Sequence, residues 1–367
     1  MRVLVTGANG FIGKNLIVHL QEQGIEFVSF THDMALRDLA SALNGIDFVF
    51  HLAGINRPKE LTEFTQGNAE LTAQLCDLIR ANGKSIPVLY TSSIQASADN
   101  PYGLSKLAAE EALMSLEKDT GSPVYLYRLP NVFGKWSRPN YNSAVATFCH
   151  NIANDLPVQI NDPASVINLV YIDDVIQDFL RLLQEQPAGV VRPEVSPAYK
   201  ITVGELADQI RVFKSGRESM VTEPVGVGFT RALYSTYLSF LRPEQFTYPL
   251  TAHADARGRF VEMLKTKDSG QFSFFTAHPG ITRGGHYHHT KNEKFLVIQG
   301  KARFGFRHVV TGETYELFTE GEKPEVVETV PGWSHDITNI GDNEMIVMLW
   351  ANEIFDRQHP DTIAYKV

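Results

Sequence analysis

His286, His288, Glu293 and His335 form the set of side chains in this sequence best suited to hold a metal ion. They lie in HYHHTKNEKFLVIQG (286–300) and PGWSH (331–335). Two imidazoles spaced two residues apart on a strand point to one face. A carboxylate and a third imidazole complete a donor set for a borderline divalent cation. Three neutral imidazoles with one carboxylate suit Zn2+ first, and also Mn2+, Fe2+ or Ni2+. His286 has two readings: a fourth ligand, or a free base beside His288, Glu293 and His335.

The other end of the chain carries different chemistry. TGANGFIG places Gly7, Gly10 and Gly13 in a GxxGxxG spacing between a strand and a helix. Glycines there allow a tight turn and close approach of a pyrophosphate to the helix N-terminus. NPYGLSK (100–106) brings Tyr102 and Lys106 one helical turn apart. An ammonium ion beside a phenol is expected to lower the phenol pKa and make it a proton donor or acceptor near neutrality. Ser92 and Ser93 end a strand, where an open α/β sheet presents its ligands. The second strand ends Phe30-Thr31-His32, with no acid at its tip to claim a ribose 2′-OH. A 2′-phosphate is then tolerated, with His32 or Arg37 in reach, and NADPH is the expected cofactor.

These residues need a frame. RVLVT (2–6), EFVSF (26–30), DFVFHLAG (47–54), PVLYTSS (87–93) and VYLYRLPNVFG (124–134) read as strands. Helical patterns alternate with them at 11–23, 38–43, about 68–82 and 106–121, and more follow at 173–184 and 203–213. That alternation indicates βαβ units: a Rossmann-like, doubly wound parallel sheet. From about residue 245 the texture becomes short and β-rich: GRFVEML, GQFSFFTA, KFLVIQGKARFGFRHV, TYELFTEG, PEVVETVPG and EMIVMLWANE. Such segments indicate an all-β sandwich or barrel. Two domains are expected, 1–243 and 244–367.

The first half resembles the extended short-chain dehydrogenase/reductase family through TGANGFIG, HLAG (51–54), Asn68, TSSIQ (91–95), YGLSK and RLPNVFG. The resemblance implies Tyr102 as acid/base and Lys106 as its partner on the nicotinamide ribose. It implies Ser93 rather than Ser92 as the hydroxyl that orients a carbonyl. It also places Gly7, Asn9, Gly10, Phe11, Ile12, Gly13, Leu52, Ala53 and Gly54 around the dinucleotide. Sugar-nucleotide dehydratases of this family carry an Asp-Glu pair after that hydroxyl. Ile94 and Gln95 stand there instead, so ketone reduction is expected rather than loss of water. Only nine positions separate Ser93 from Tyr102, which shortens the pocket lip.

The second half resembles the cupin family in HxH, Glu293 and Gly300, and again in PGWSHDITN with Gly332, His335 and Asn339. This implies an all-β cupin barrel and a metal on His286, His288, Glu293 and His335. Together the halves resemble bifunctional enzymes of capsular polysaccharide synthesis, through HLAGINRP (51–58), FGKW (133–136), PNYNS (139–143), LYSTYLSF (233–240) and HHTKNEKFLV (288–297). The implied reaction is C3 epimerisation of a UDP-2-acetamido-2,6-dideoxy-4-ketohexose, then C4 reduction with NADPH. The product is UDP-N-acetyl-6-deoxy-L-talosamine, a precursor of UDP-N-acetyl-L-fucosamine, and a homodimer is implied. The alternative is a reductase alone, with the cupin as a metal-stabilised dimerisation or sensing module.

Bulk properties fit. The 367 residues are 43% hydrophobic and 20% charged, with a net charge of −9. That balance disfavours nucleic-acid and anionic-membrane surfaces. No apolar run reaches the roughly 18 residues of a membrane span. Cys76 and Cys149 are expected as buried, reduced thiols of a cytoplasmic protein.

Overall fold

The computed structural model describes residues 1–250, 252–255, 258–261, 264–266, 270–353 and 358–367. Glu262 and Met263 of the expected GRFVEML strand lie outside them. The chain divides into two compact units, Met1–Ser143 with Ile167–Lys200, and Ala144–Val166 with Ile201–Val367. The change of sequence texture at 243/244 and this division by packing are not the same line. The helices Ala144–Ala153, Val203–Ser219 and Gly228–Leu238 group with the β-rich unit.

The first unit is built on six parallel strands. Their order is Glu26–Phe30, Arg2–Thr6, Phe48–His51, Val88–Ser93, Val124–Leu129, Val190–Val191. The chain leaves the Arg2–Thr6 strand to one side and later returns to its other side. Such a switch point opens a crevice beyond the carboxyl ends of the strands. The central strands are buried on both faces, which explains their unbroken apolar runs. Leu4, Val49, Val88 and Leu126 pack against Leu75, Ile79, Leu113 and Leu116 of the flanking helices. Burying each such side chain contributes roughly 1.5–3 kcal/mol. That packing makes the strand ends a rigid platform.

The second unit carries two antiparallel five-stranded sheets. One orders Thr247–Pro249, Glu325–Glu328, Glu293–Gln299, Met345–Ala351 and Gln271–Ala277; the other orders Thr314–Glu320, Lys301–His308, Trp333–Asn339, Thr282–Tyr287 and Ile363–Ala364. Phe295, Phe304, Phe306, Val327, Ile337 and Trp350 are buried in this unit. Lys294 is buried too, against Glu328, with Tyr248 Oη at 3.0 Å and Arg217 3.2 Å from the same carboxylate. This pairing satisfies charges that would otherwise be costly to bury. Cys76 and Cys149 are unbridged and buried. Among the described residues no helix is long and apolar enough to cross a membrane.

Candidate active sites

The glycine turn follows directly from the Arg2–Thr6 strand. Gly7 has φ +67°, and a Cβ on it would lie 2.7 Å from the Ala53 nitrogen. A Cβ on Gly13 would lie 2.3 Å from the Gly7 carbonyl oxygen. Only hydrogen fits at either place, so the turn stays tight and the helix Phe11–Glu22 starts against the sheet. The cleft above it measures about 640 Å³. Gly7, Asn9, Gly10, Phe11, Ile12, Gly13, Leu52, Gly54, Ser93, Tyr102 and Lys106 line it. Ala53 does not; its backbone N–H donates to Thr6 Oγ1 at 3.2 Å. His32 and Arg37 are also outside the lining, about nine-tenths exposed beside Asp33 and Asp38.

Tyr102 and Lys106 lie on one long helix, Pro101–Thr120, which begins five residues before the segment read as helical. Asn100 caps it, its side-chain oxygen accepting from the Gly103 N–H at 2.8 Å, and Pro101 occupies the first turn. A single 3-10 turn, Ile94–Ser97, spans much of the short link from Ser93. Lys106 is buried and donates to the Thr91 carbonyl at 3.0 Å, below the Tyr90 ring. Burial lowers its pKa to about 8, with Glu110 opposing the shift. Ser93 hydrogen-bonds Tyr102. Ser92 instead donates to Glu110 at 2.5 Å. The pair is thereby split: one hydroxyl serves the cleft and the other the scaffold.

One expectation needs correction. Tyr102 is not lowered by its lysine neighbour in the chain alone. Burial pushes the phenol above its ordinary value, and the Ser93 hydrogen bond only opposes this. Desolvation of the phenolate outweighs any attraction to Lys106.

Asn68 sits in a π-helical turn, Thr65–Glu70. Its side chain accepts from the Ile55 N–H at 2.9 Å and donates to the Ile55 carbonyl at 3.0 Å and to Ser105 Oγ at 3.0 Å. It thus fixes the HLAGIN loop over the helix of Tyr102. His51 is buried between Thr6 Oγ1 (2.7 Å) and Thr72 Oγ1 (2.9 Å), and burial depresses it to about 3. It is a neutral wedge under the turn. Sequence reading missed Glu110, although its place one turn beyond Lys106 was a usable signal. It also left Trp136 and Arg138 without a role, and both line the cleft.

In the second unit, donor atoms of His286, His288, Glu293 and His335 all lie within 4.8 Å of one another. His286 pairs across the sheet with His335. The strand of His286 ends at Tyr287, so His288 is not its strand-mate as the HxH spacing predicts. His288 stands just beyond, and the two rings still converge, with centroids 5.1 Å apart. Glu293 Oε2 is 3.1 Å from His288 Nε2 and 3.4 Å from His335 Nε2. Tetrahedral coordination with bonds of about 2.1 Å has edges of about 3.4 Å, which these two spacings approach. The His288 Nδ1 side faces the Asp361 backbone carbonyl, and Nε2 faces Glu293 Oε2 across the cluster, where a bound cation would displace the proton between them. Burial raises the Glu293 pKa, but His288 and His335 outweigh it and hold the carboxyl well below its usual range. Burial holds His286 at about 4 and also lowers His335, so neutral imidazoles are favoured. Neutral imidazoles and an ionised carboxylate are what a metal requires.

Asp361 was not foreseen. Its carboxylate accepts from the backbone N–H groups of His289 (2.9 Å), Thr290 (2.7 Å) and Lys291 (2.7 Å). It clamps the loop between His288 and Glu293. Lys291 Nζ lies 2.9 Å from Glu293 Oε1, the carboxylate oxygen turned away from the histidines. Arg303 pairs with Glu316 and Asp336, and Arg283 donates to the Thr276 carbonyl.

Comparison with known proteins gives a consistent picture. Residues 3–195 match the NAD dependent epimerase/dehydratase family, and residues 253–363 match the polysaccharide biosynthesis C-terminal domain. A UDP-2-acetamido-2,6-beta-L-arabino-hexul-4-ose reductase from Pseudomonas aeruginosa is 62% identical over 368 residues, covering 100% of this chain and 99% of that protein. The crystal structure of the capsular polysaccharide assembling protein CapF from Staphylococcus aureus matches with a TM-score of 0.69 and 42% identity over 100% of both chains. A second CapF structure, with the inhibitor 3-isopropenyl-tropolone, matches at TM-score 0.64 and 38% identity, again over 100% of both chains. The chain belongs to the NAD-dependent epimerase/dehydratase family, within its CapF-type branch.

Proposed function

We propose that this chain is a bifunctional UDP-sugar enzyme of capsular polysaccharide synthesis. The second unit, read as a metal-dependent cupin barrel, epimerises C3 of a UDP-2-acetamido-2,6-dideoxy-4-ketohexose. The first unit then reduces the C4 ketone with NADPH to UDP-N-acetyl-6-deoxy-L-talosamine. The order is fixed by chemistry. A 4-ketone acidifies the hydrogen at C3, and that acidity disappears once the ketone is an alcohol.

The observation that carries the reductase reading is the convergence of Ser93, Tyr102 and Lys106 on a cleft floored by the glycine turn. NADPH bound there supplies the hydride. Ser93 holds the carbonyl oxygen, and Tyr102, a phenol protonated at neutral pH and pushed further up by burial, gives that oxygen its proton. Lys106 places its charge beside them. The exposed His32 and Arg37 are offered as partners for a 2′-phosphate.

The epimerase reading rests on the donor set. His286, His288, Glu293 and His335 would hold a divalent cation, Zn2+ for preference, with His286 either a ligand or the base. When bound, the cation supplies Lewis acidity for loss of a proton next to the ketone. A tropolone offers two adjacent oxygens that chelate divalent metals, so its inhibition of a CapF agrees with a metal centre. A cytoplasmic homodimer completes the reading, and the two buried free thiols agree with a reducing compartment.

The test uses full-length protein, NADPH and the 4-keto sugar in deuterated water, with product followed by NMR. Deuterium should enter at C3 before hydride reaches C4. His288→Ala should abolish the exchange and still reduce a ketone already epimerised. If exchange survives in that variant, the metal-centre reading fails, and the second unit is a dimerisation or sensing module.

A further inference from the structure

Tyr102, Lys106 and Glu110 recur every four residues along one helix, so they share a face. Glu110 is fully buried. An isolated buried carboxylate is costly, and this one is saturated instead. Ser92 Oγ donates to it at 2.5 Å, and Arg128 grips it with Nε at 2.9 Å and a terminal nitrogen at 2.7 Å. Ser92 and Arg128 are themselves paired across the two adjacent strands. Burial raises the Glu110 carboxyl, but the hydrogen bonds from Arg128 and Ser92, with the charges of Arg128 and Arg192, outweigh it and keep it ionised.

We propose that Glu110 is a positioning residue of the reductase site: its carboxylate ties the Ser92–Ser93 strand end to the helix of Tyr102 and Lys106, and supplies the negative charge that Lys106 feels from its own helix. The fork to Arg128 is bidentate, the geometry that fixes direction as well as distance. A strand end locked in this way keeps Ser93 within hydrogen-bond reach of Tyr102. Around Lys106 stand Tyr90, Tyr102 and His51, none anionic at neutral pH. Glu110 is therefore the counter-charge among these neighbours. The inference rests on the reductase reading, and a cofactor-binding readout separates the two.

NADPH binding to the full chain is followed by nucleotide fluorescence from pH 6.5 to 9.5, alongside ketone reduction. Lys106 charge should be lost upward through its pKa of about 8, and affinity with it. Glu110→Gln keeps the shape and removes the charge. The high-pH limb should move down by about one unit, with several-fold weaker binding at pH 8. Glu110→Asp keeps the charge but shortens the reach, so the limb should stay while kcat drops. A limb unmoved in Glu110→Gln, with the rate reduced equally at every pH, overturns the proposal in favour of simple packing. Should that variant fail to fold, Arg128→Gln serves. Losing that cation should move the limb up, and an unmoved limb overturns the proposal. Wild-type protein that binds NADPH but reduces no ketone sinks the reductase reading and leaves the titration to judge Glu110.

Discussion

The two sites are built from opposite materials. The cleft of the first unit is shaped largely by backbone: a glycine turn, strand ends and a helix start. The histidine cluster of the second unit is a side-chain construction, four donors from three strands and the loop that joins two of them. A backbone site fails when any atom is added to it. A side-chain site fails when the supports of its donors are removed. The two should therefore respond separately to perturbation.

The largest separation is expected from Gly13→Ala. The new Cβ would meet backbone oxygens at 2.3 and 2.8 Å, and no side chain is present to yield. NADPH affinity should fall at least about 100-fold, roughly 2.7 kcal/mol, measured by nucleotide fluorescence, while metal content of the purified protein is unchanged. Loss of both together would erase the contrast.

Next is Asp361→Ala, which strips three backbone N–H groups of their acceptor. Removing a support of this kind costs about 10- to 100-fold in metal affinity. Competition with a zinc chelator measures it, and NADPH binding should not change. An unaltered zinc affinity would mean that the loop holds its shape without the clamp.

The smallest effect concerns acid. His51 is held neutral, its folded pKa near 3 against an ordinary 6.5. Between those values the unfolded chain binds the extra proton, so stability falls as pH is lowered from about 6.5 toward 3. The slope is up to about 1.4 kcal/mol per pH unit, present only in that window. Hydrogen exchange of the strand Phe48–His51 at pH 5 and pH 6 should show it, about tenfold in protection beyond the intrinsic rate change. His51→Gln should flatten the slope. A slope unchanged in that variant would assign the acid response to other groups.

The same contrast explains what could be read in advance. The glycine spacing, YxxxK and alternating strands and helices are local signals, each contained in a few residues or one βαβ unit. They point to residues that line one cleft, Gly7, Tyr102 and Lys106 among them. The four candidate metal donors are visible because their residue types are rare together. Their support is not, since Asp361 lies some seventy residues from the loop it clamps and an aspartate carries no distinguishing signal. Tyr102 was misjudged because its pKa depends on burial, which spacing does not encode. Gly284 shows the same limit. It stands where the strand bulges, at φ +98°, with His335 backbone oxygen 2.9 Å from where a Cβ would be, a contact made only by pairing.

That pairing has a consequence for how the molecule reaches its native state. His286 lies opposite His335 because the strand Thr282–Tyr287 shifts register against Trp333–Asn339 between Gly284 and His286. A slip of one residue reverses the facing of every side chain on the displaced strand, and the donors scatter. Only the correct alignment gathers all four. A cation held by the gathered set would act as a proofreader of strand alignment, rewarding one registration during folding and leaving the others unrewarded.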